Sequence, residues 1–491
     1  MATFELPDDL SRSRVHLVGI KGTGMCPLAE LLSRSGSRVT GSDTGDVFYT
    51  DAILAELGIP CAAGFSAANL PPDTDFVIHS AAYSADSNPE LAEALRRGLP
   101  VMKYTEALGS YSGRFDSSGI AGVHGKTTTT AICGTLCRAA ELPAQILAGS
   151  AVGDFGGRST LVLGDRYFVA ETCEYRRHFL SFRPRRIVLT SVESDHQDYF
   201  PTYGSIRDAF VEYSGKLPDG GELIYCADDD GAAEVAALAK KARGDLVLVP
   251  YGESAEGPFR IHSIRTEAER TILRIESFPE ELRLRVPGRH VALDAAGALA
   301  LISSLVRAEF GDGGNPDGWD SRRRSAVASA LEAFRGSRRR SEIVGEAAGV
   351  LVMDDYGHHP TAIRTTLEGL RAFYPDRRLV VSFMSHTYTR TAALLEEFAS
   401  SFAAADLLVL HKIYASARER YTGGVTGRTL FERAEALRPG VRYIDEPMDA
   451  VGELAAELRV GDLFLTMGAG DNWKLGRAIL QRLEEQKRRP T

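Results

Sequence analysis

Long uncharged apolar runs are missing from this chain. None reaches the roughly 18 residues of a membrane-spanning helix, so no membrane span is expected. The opening stretch, Met1 to Arg14, lacks the apolar core of a signal peptide, which points to the cytoplasm. Cysteine is scarce: six among 491 residues. None falls in a C-x-x-C pair or a zinc spacing, which argues against a disulfide framework and suggests a reducing compartment. Cys133 and Cys137 share a helix face, most simply as core filler. Positive charge is not in excess either. The formal balance of −9 disfavours nonspecific nucleic-acid binding, though local Lys, Arg, metal ions and backbone amides can still hold anionic substrates. No internal repeat recurs. What remains is ordinary globular composition, 44% hydrophobic and 25% charged, at a length that suggests about three domains of roughly 150 residues each.

The stretch with the plainest chemistry is Gly122 to Thr130, GVHGKTTTT. A short apolar run through Ser117-Ser118-Gly119-Ile120-Ala121 precedes it as a buried strand, and Ala131 to Ala140 follows as a helix. A strand that turns into a helix leaves unpaired N–H groups and a favourable dipole where a phosphate can sit. Gly122 and Gly125 let the backbone curl, Lys126 offers an ammonium to phosphate oxygens, and the Thr127 hydroxyl can ligate Mg²⁺. The pattern G-x-x-x-x-G-K-[ST] departs at one position, where Ile120 replaces a glycine. The bland alternative is a Thr- and Gly-rich helix start with a solvated lysine.

Strands alternate with helices along the whole chain, which predicts an α/β protein with doubly wound parallel sheets. In the first segment, Val15–Ile20 leads into Gly19, Gly22 and Gly24, and a second strand ends on Ser42-Asp43. This resembles a dinucleotide fingerprint, but the spacing is G-x-x-G-x-G. A nucleotide-diphosphate site of another kind, a nicotinamide dehydrogenase and a ligand-free tight turn are the readings it leaves. Later strands end at Glu171, at Ser191 to Asp198 (SVESDHQD), at Asp354 to Pro360 (DDYGHHP) and at Met384 to Thr391. Ligands collect at the carboxyl ends of strands in such sheets, so Glu171 and His196 should share an edge with Lys126 and suit Mg²⁺ ligation. Tyr356, His358, His359 and Arg390 gather on a comparable edge. Gly311 to Asp320 reads as a surface loop and 321 to 334 as a helix. Arg335 to Arg340 reads as a linker whose basic run is expected to be solvated, the alternative being that it faces a polyanionic ligand.

The order of these motifs resembles the Mur ligases of peptidoglycan synthesis over almost the whole chain. The resemblance rests on GIKGTGM at 19–25, GSD at 41–43, HSAA at 79–82, GVHGKTTTT at 122–130, SDHQDYF at 194–200, PGRH at 287–290, DDYGHHPT at 354–361, HTYTRT at 386–391 and GAGDNWK at 468–474. It implies three domains: a Rossmann-like unit at 1–113, a central P-loop ATPase-type parallel or mixed sheet at 114–335, and a Rossmann-like unit at 336–491. It implies that the first binds the UDP part of UDP-N-acetylmuramate through Gly22, Gly24, Ser42 and Asp43. ATP would lie on Gly122, Val123, His124, Gly125, Lys126, Thr127 and Thr128, with His290 near adenine. Mg²⁺ would be held by Thr127, Glu171 and His196. Tyr356, His358 and Arg390 would surround the amino acid, L-alanine, and the reacting carbonyl.

The same resemblance exposes departures. The family's E-A-D-E reads Glu171-Thr172-Cys173-Glu174, its H-N-x-x-N reads His290-Val291-Ala292-Leu293-Asp294, its His-Arg pair reads His386-Thr387, and Lys21 replaces a common glycine. The implied activity is ATP-driven joining of a carboxylate to an amine through an acyl phosphate. Lys126, Mg²⁺ and Arg390 would contribute electrostatically, with Lys126, Glu171, His196, His358 and Arg390 as the catalytic set. Three rivals predict different outcomes. A sibling ligase would attach a recycled peptide instead of L-alanine. A nicotinamide dehydrogenase would transfer hydride without using ATP. A noncatalytic UDP-sugar-binding regulator would bind nucleotide sugar and release no ADP.

Overall fold

A computed structural model describes residues 4–488 apart from 268, 416–418, 420 and 422. Three α/β units follow one another along it. The first sheet is five-stranded and wholly parallel, in the spatial order Cys61–Ala63, Arg38–Asp43, Arg14–Val18, Phe76–His79, Val101–Lys103. That 3-2-1-4-5 arrangement is the doubly wound order 3-2-1-4-5-6 without its sixth strand, with its switch point between Arg14–Val18 and Phe76–His79.

The second sheet has seven strands. Asp116–Ala121 lies at its centre between Tyr167–Glu171 and Arg186–Leu189, both parallel to it. Only the outermost pair, Ala144–Val152 with Arg158–Val162, is antiparallel. The sequence pattern did not reveal a separate three-stranded antiparallel sheet, Ile261–Glu267, Arg270–Ile275 and Phe278–Leu284. Its exposed positions carry charge while one face packs into the core, so its strands lack a continuous apolar run. The third sheet has six strands, all parallel except the edge strand Glu342–Ala347.

Lys126–Ala139 is a helix five residues longer at its start than the apolar pattern suggested. Gly134 survives inside it because a Cβ there would stand 2.3 Å from Phe155 Cζ. Arg289–Phe310 is long and apolar enough to cross a membrane, with mean hydropathy 1.6, yet 78% of its most apolar stretch is buried inside the protein. It is the central helix of the second unit, packed on Ile132, Leu136 and Leu273 within one apolar cluster.

The seams between units differ in kind. The first and second units share a continuous apolar core that includes Leu6, Tyr111, Phe168 and Phe182. The third has apolar clusters of its own. The basic run at 335–340 is not the solvated linker expected. Arg339 donates to Asp354 Oδ2 at 2.8 Å and to the Gly468 carbonyl at 2.9 Å, while the Arg338 amide bonds Ala151 O at 2.8 Å. Carboxylates and carbonyls at the strand ends of both neighbouring units draw the run inward.

Candidate active site

The site begins with the bend after Asp116–Ala121. Ile120 is still extended there, in register with Glu171 and Val188, so the pattern's missing glycine falls where no glycine conformation is needed. The curl starts at Gly122, φ +140°, and ends at Gly125, φ +79°, which caps the helix. Both positions require glycine. A Cβ on Gly122 would lie 2.1 Å from Thr190 Oγ1, and one on Gly125 would lie 2.3 Å from Asp294 Oδ1. The end of the neighbouring strand pins the loop: Val123 N donates to Ser191 O at 3.0 Å and His124 N to Ser191 Oγ at 2.9 Å.

Lys126 curls back over its own loop, donating to the carbonyls of Gly122 and Val123, and pairs with Glu174 at 3.0 Å. Burial works against its charge, but Glu174, Cys173 and Glu171 together raise the ammonium pKa. Glu174 is itself buried, which favours its neutral form, yet Lys126 and His196 hold its pKa down. His196 Nε2 lies 3.3 Å from Glu174 Oε1. The second acid of the E-T-C-E segment therefore reaches both Lys126 and His196, a role the sequence did not assign to it. Glu171 accepts from Gly149 N at 2.8 Å.

A cleft of about 610 Å³ opens beside the loop. Val123, His124, Gly125, Lys126, Thr127, Thr128, Glu171, His290 and His358 line it, along with Glu193, Asp195, Asp294, Arg340 and His359. The first nine and His359 are sequence-derived candidates; Glu193, Asp195, Asp294 and Arg340 were not among the predicted site residues. His290 folds over Gly288, and its buried Nδ1 has no hydrogen-bond partner among the described residues. Burial pushes its pKa down to about 4, leaving a neutral ring. Asp294 is buried and its carboxyl is driven well above the ordinary range by burial. A neutral carboxyl has one donor and one acceptor, as an asparagine amide has. The loss of the family's second asparagine at this position thus keeps its hydrogen-bonding character.

The third unit meets the cleft through two strand-end loops. Asp355 accepts from Ser341 N at 2.7 Å and Gly357 N at 2.6 Å, which shapes the turn carrying Tyr356, His358 and His359. His358 Nδ1 lies 2.8 Å from the Tyr356 carbonyl and His358 is pushed well below its usual pKa, by burial and then by Arg390. Its Nδ1–H thus donates and its Nε2 keeps a lone pair. Arg390 crosses to the second unit, where its Nε and one terminal nitrogen donate to Asp195 Oδ1 at 2.9 and 2.6 Å; its other terminal nitrogen donates to His386 Nδ1 at 2.9 Å. Burial opposes ionisation of Asp195, but Arg390 and the neighbouring histidines hold its pKa far down.

Gly22, Gly24, Ser42 and Asp43 belong to the first sheet and are not among the residues lining this cleft. Gly24 is required by Tyr104, whose ring would lie 2.8 Å from an added Cβ. Ser42 is buried with its hydroxyl given to Glu90, and Asp43 accepts from Lys21 N at 2.7 Å and Thr44 N at 2.8 Å. Ser42 and Asp43 therefore brace the turn. Lys21 ties the following loop down, with its ammonium 2.9 Å from Asp51 and bonded to the Thr44 and Asp46 carbonyls.

The donors present suit a magnesium nucleotide. A glycine loop with free helix-start amides, a half-buried lysine, a threonine hydroxyl and a carboxylate converge on one cleft.

Three family models match the chain in succession: Mur ligase family, catalytic domain, at 14–116; Mur ligase middle domain at 120–302; and Mur ligase, glutamate ligase domain, at 339–470. Among curated proteins, the chain is 52% identical over 481 residues to the UDP-N-acetylmuramate–L-alanine ligase of Treponema pallidum, covering 98% of this chain and 99% of that one. It is 37% identical to the enzyme of the same name from Desulfitobacterium hafniense, with 95% and 99% covered. The crystal structure of UDP-N-acetylmuramate–alanine ligase from Thermotoga maritima superposes with a TM-score of 0.75 at 24% identity, covering 97% of this chain and 100% of that one. With three models in order and full-length relatives at this identity, the chain belongs to the Mur ligase family.

Proposed function

We propose that the protein joins L-alanine to the lactyl carboxylate of UDP-N-acetylmuramate, using ATP, in the cytoplasmic assembly of peptidoglycan precursors. The observation that carries this is the phosphate loop with its half-buried Lys126, opening on a cleft that the third unit closes, in a chain 52% identical to a ligase of that name along nearly its whole length. Residues 1–113 take the UDP-sugar, 114–335 the ATP, and 336–491 the amino acid.

The chemistry has two steps. The lactyl carboxylate attacks the γ-phosphorus, ADP departs, and an acyl phosphate remains. The alanine amine then attacks the acyl carbon, and phosphate leaves. Both steps concentrate negative charge in one space, so the main catalytic term is electrostatic. Lys126 exchanges its Glu174 and carbonyl contacts for phosphate oxygens. Thr127, Glu171 and His196 would hold Mg²⁺, which supplies further positive charge to the transferring phosphoryl group. Arg390, released from Asp195, is the guanidinium available to an incoming carboxylate. The neutral Nε2 of His358 accepts the proton that the amine loses. Closure of the third unit excludes water from the acyl phosphate.

ADP release should require UDP-N-acetylmuramate and L-alanine together. A tripeptide in place of L-alanine should give little, and no change in nicotinamide absorbance should accompany turnover. Lys126→Ala should lower turnover by about 10² or more, the scale of losing one donor to the transition-state charge. Near-normal ligation by that variant would count against this assignment.

A further inference from the structure

Apart from the groups assigned to magnesium, a second set of ligand-type side chains, one of them from the ATP loop itself, converges at the seam between the second and third units. His124 comes from the phosphate loop, Glu193 from the segment after strand Arg186–Leu189, and His359 from the N-cap of helix Pro360–Phe373. One ligand atom from each lies within 4.8 Å of the others, and among the described residues no other trio of His, Cys, Asp or Glu converges this way. We propose that His124, Glu193 and His359 form a binding site for a zinc-class divalent transition ion that ties the phosphate loop to the third unit.

The spacing suits such an ion. His359 Nδ1 lies 3.4 Å from Glu193 Oε1. Two ligands on a tetrahedral ion with bonds of roughly 2.0–2.1 Å stand about 3.3 Å apart. His124 Nε2 touches the same carboxylate oxygen, and entry of an ion between them replaces that contact with two metal bonds. The other carboxylate oxygen accepts from Thr361 Oγ1 at 3.0 Å. An outer hydrogen bond of this kind fixes the orientation of a ligating carboxylate. The two imidazole rings are 5.0 Å apart between centroids.

The ligands are also in the right form. Burial lowers the pKa of His359, so its ring is neutral and can give a lone pair. Burial favours a protonated Glu193, but His124, His359 and Thr361 together hold its pKa below the usual carboxylate value. The only other polar group near His359 Nδ1 is Thr361 N, at a long 3.4 Å, and its Nε2 has no hydrogen-bond partner among the described residues. No strong bond therefore commits Nδ1 elsewhere. Two imidazoles and one carboxylate select zinc-class ions over magnesium, which prefers oxygen ligands. Three protein ligands leave a fourth position open on the nucleotide cleft.

The test reads metal binding, so it stands apart from whether the ligation assay succeeds. The full-length, metal-free protein is titrated with Co²⁺ alone and then with Zn²⁺. The wild type should take up one equivalent, with the visible bands of four-coordinate Co²⁺ and no thiolate charge-transfer band. Zn²⁺ should displace it, and excess Mg²⁺ should not. His359→Ala and Glu193→Gln should each weaken binding by about tenfold or more and lose the four-coordinate spectrum. Cys173→Ser, which removes the one exposed thiol among the described residues, should leave both unchanged. Absence of saturable binding by the wild type overturns the site and leaves a bare imidazole–carboxylate bridge. Equal binding by the wild type and either ligand variant, or loss of binding in Cys173→Ser, overturns it as well. If one ligand variant fails to fold, the other and the wild-type spectrum still decide.

Discussion

Asp294 lies buried on the central helix against Gly125, with its carboxyl held in the neutral form by burial. In the unfolded chain it ionises near pH 3.9. Between that value and its raised folded value, the unfolded state has lost a proton that the folded state keeps. Stability contributed by this group is therefore complete below pH 3.9 and falls as pH rises, by about 1.4 kcal/mol per unit, until the folded value is passed. Asp294→Asn supplies the same donor and acceptor without the titration. The stability difference between variant and wild type should grow in favour of the variant as pH rises, by up to about 1.4 kcal/mol per pH unit for as long as Asp294 stays protonated. The chain has two tryptophans. Trp319, buried against Phe278 in the second unit, reports that unit alone once Trp473 is replaced by Phe. Denaturant titrations of the paired proteins at pH 5, 6 and 7 then measure the difference. A difference that stays flat with pH, or shrinks as pH rises, refutes the neutral carboxyl. In the same series Asp294→Asn should keep adenine-nucleotide affinity, whereas Asp294→Leu should lose about tenfold, the scale of one hydrogen bond.

Gly125→Ala should weaken nucleotide binding by at least tenfold and cost about 1–3 kcal/mol of stability, because a left-handed residue and a contact with the Asp294 carboxyl are both imposed. Titration with a fluorescent ATP analogue checks it, and unchanged affinity would contradict the loop geometry. Removing either member of the buried Arg390–Asp195 pair should cost about 3–5 kcal/mol of the closed arrangement, and the double variant should recover part of it. Amide exchange of helix Tyr388–Ala393 reads that cost. Strict additivity would mean that the two groups act separately. Because the pKa of Asp195 is depressed, its contribution is present above the unfolded value near 3.9 and disappears as pH falls below it. Acid, and not mild alkali, should therefore loosen this seam.

The phosphate loop was legible because its chemistry is local. Two glycines, a lysine and a threonine at fixed spacing specify a turn wherever the chain places them. The carboxylates were not, because their roles depend on which way a bend turns. Glu174 reaches Lys126 just before a bend in which Arg176 and Arg177 adopt φ values of +52° and +58°, and nothing in E-T-C-E announces that. Likewise Ser191 to Asp198 was recognised as a strand end, with His196 as the candidate. The structure shows that Asp195 takes Arg390 and Glu193 reaches across to His359. Their partners lie 195 and 166 residues away, beyond any spacing rule. Ser42 illustrates the reverse. It stood in a promising strand-end pair, yet its hydroxyl is occupied by Glu90, a partner on helix Pro89–Arg96.

The contrast between the two seams dictates which part of the molecule can move during a catalytic cycle. Tyr111 of the first unit packs against Phe168 and Phe115 of the second, with ring centroids 5.5 and 5.1 Å away. Separating surfaces of this kind exposes apolar area at about 25 cal/mol per Å² with nothing in water to replace it. The third unit's contacts with the cleft include Arg390 with Asp195 and His359 and Thr361 with Glu193. Its helix Pro360–Phe373 approaches the Gly288 turn glycine to glycine, where a Cβ on Gly369 would stand 2.8 Å from Gly288 Cα. Charged contacts can be exchanged for water, phosphate or carboxylate at a smaller net cost, and a glycine-on-glycine contact has no side chains to unlock. The first two units should therefore behave as one body while the third opens and closes. The same groups that latch it, Arg390 above all, are those an anionic substrate can claim. Substrate entry and seam rearrangement are then a single exchange of partners, with the acidic side chains of the second unit holding the place that substrate oxygens take.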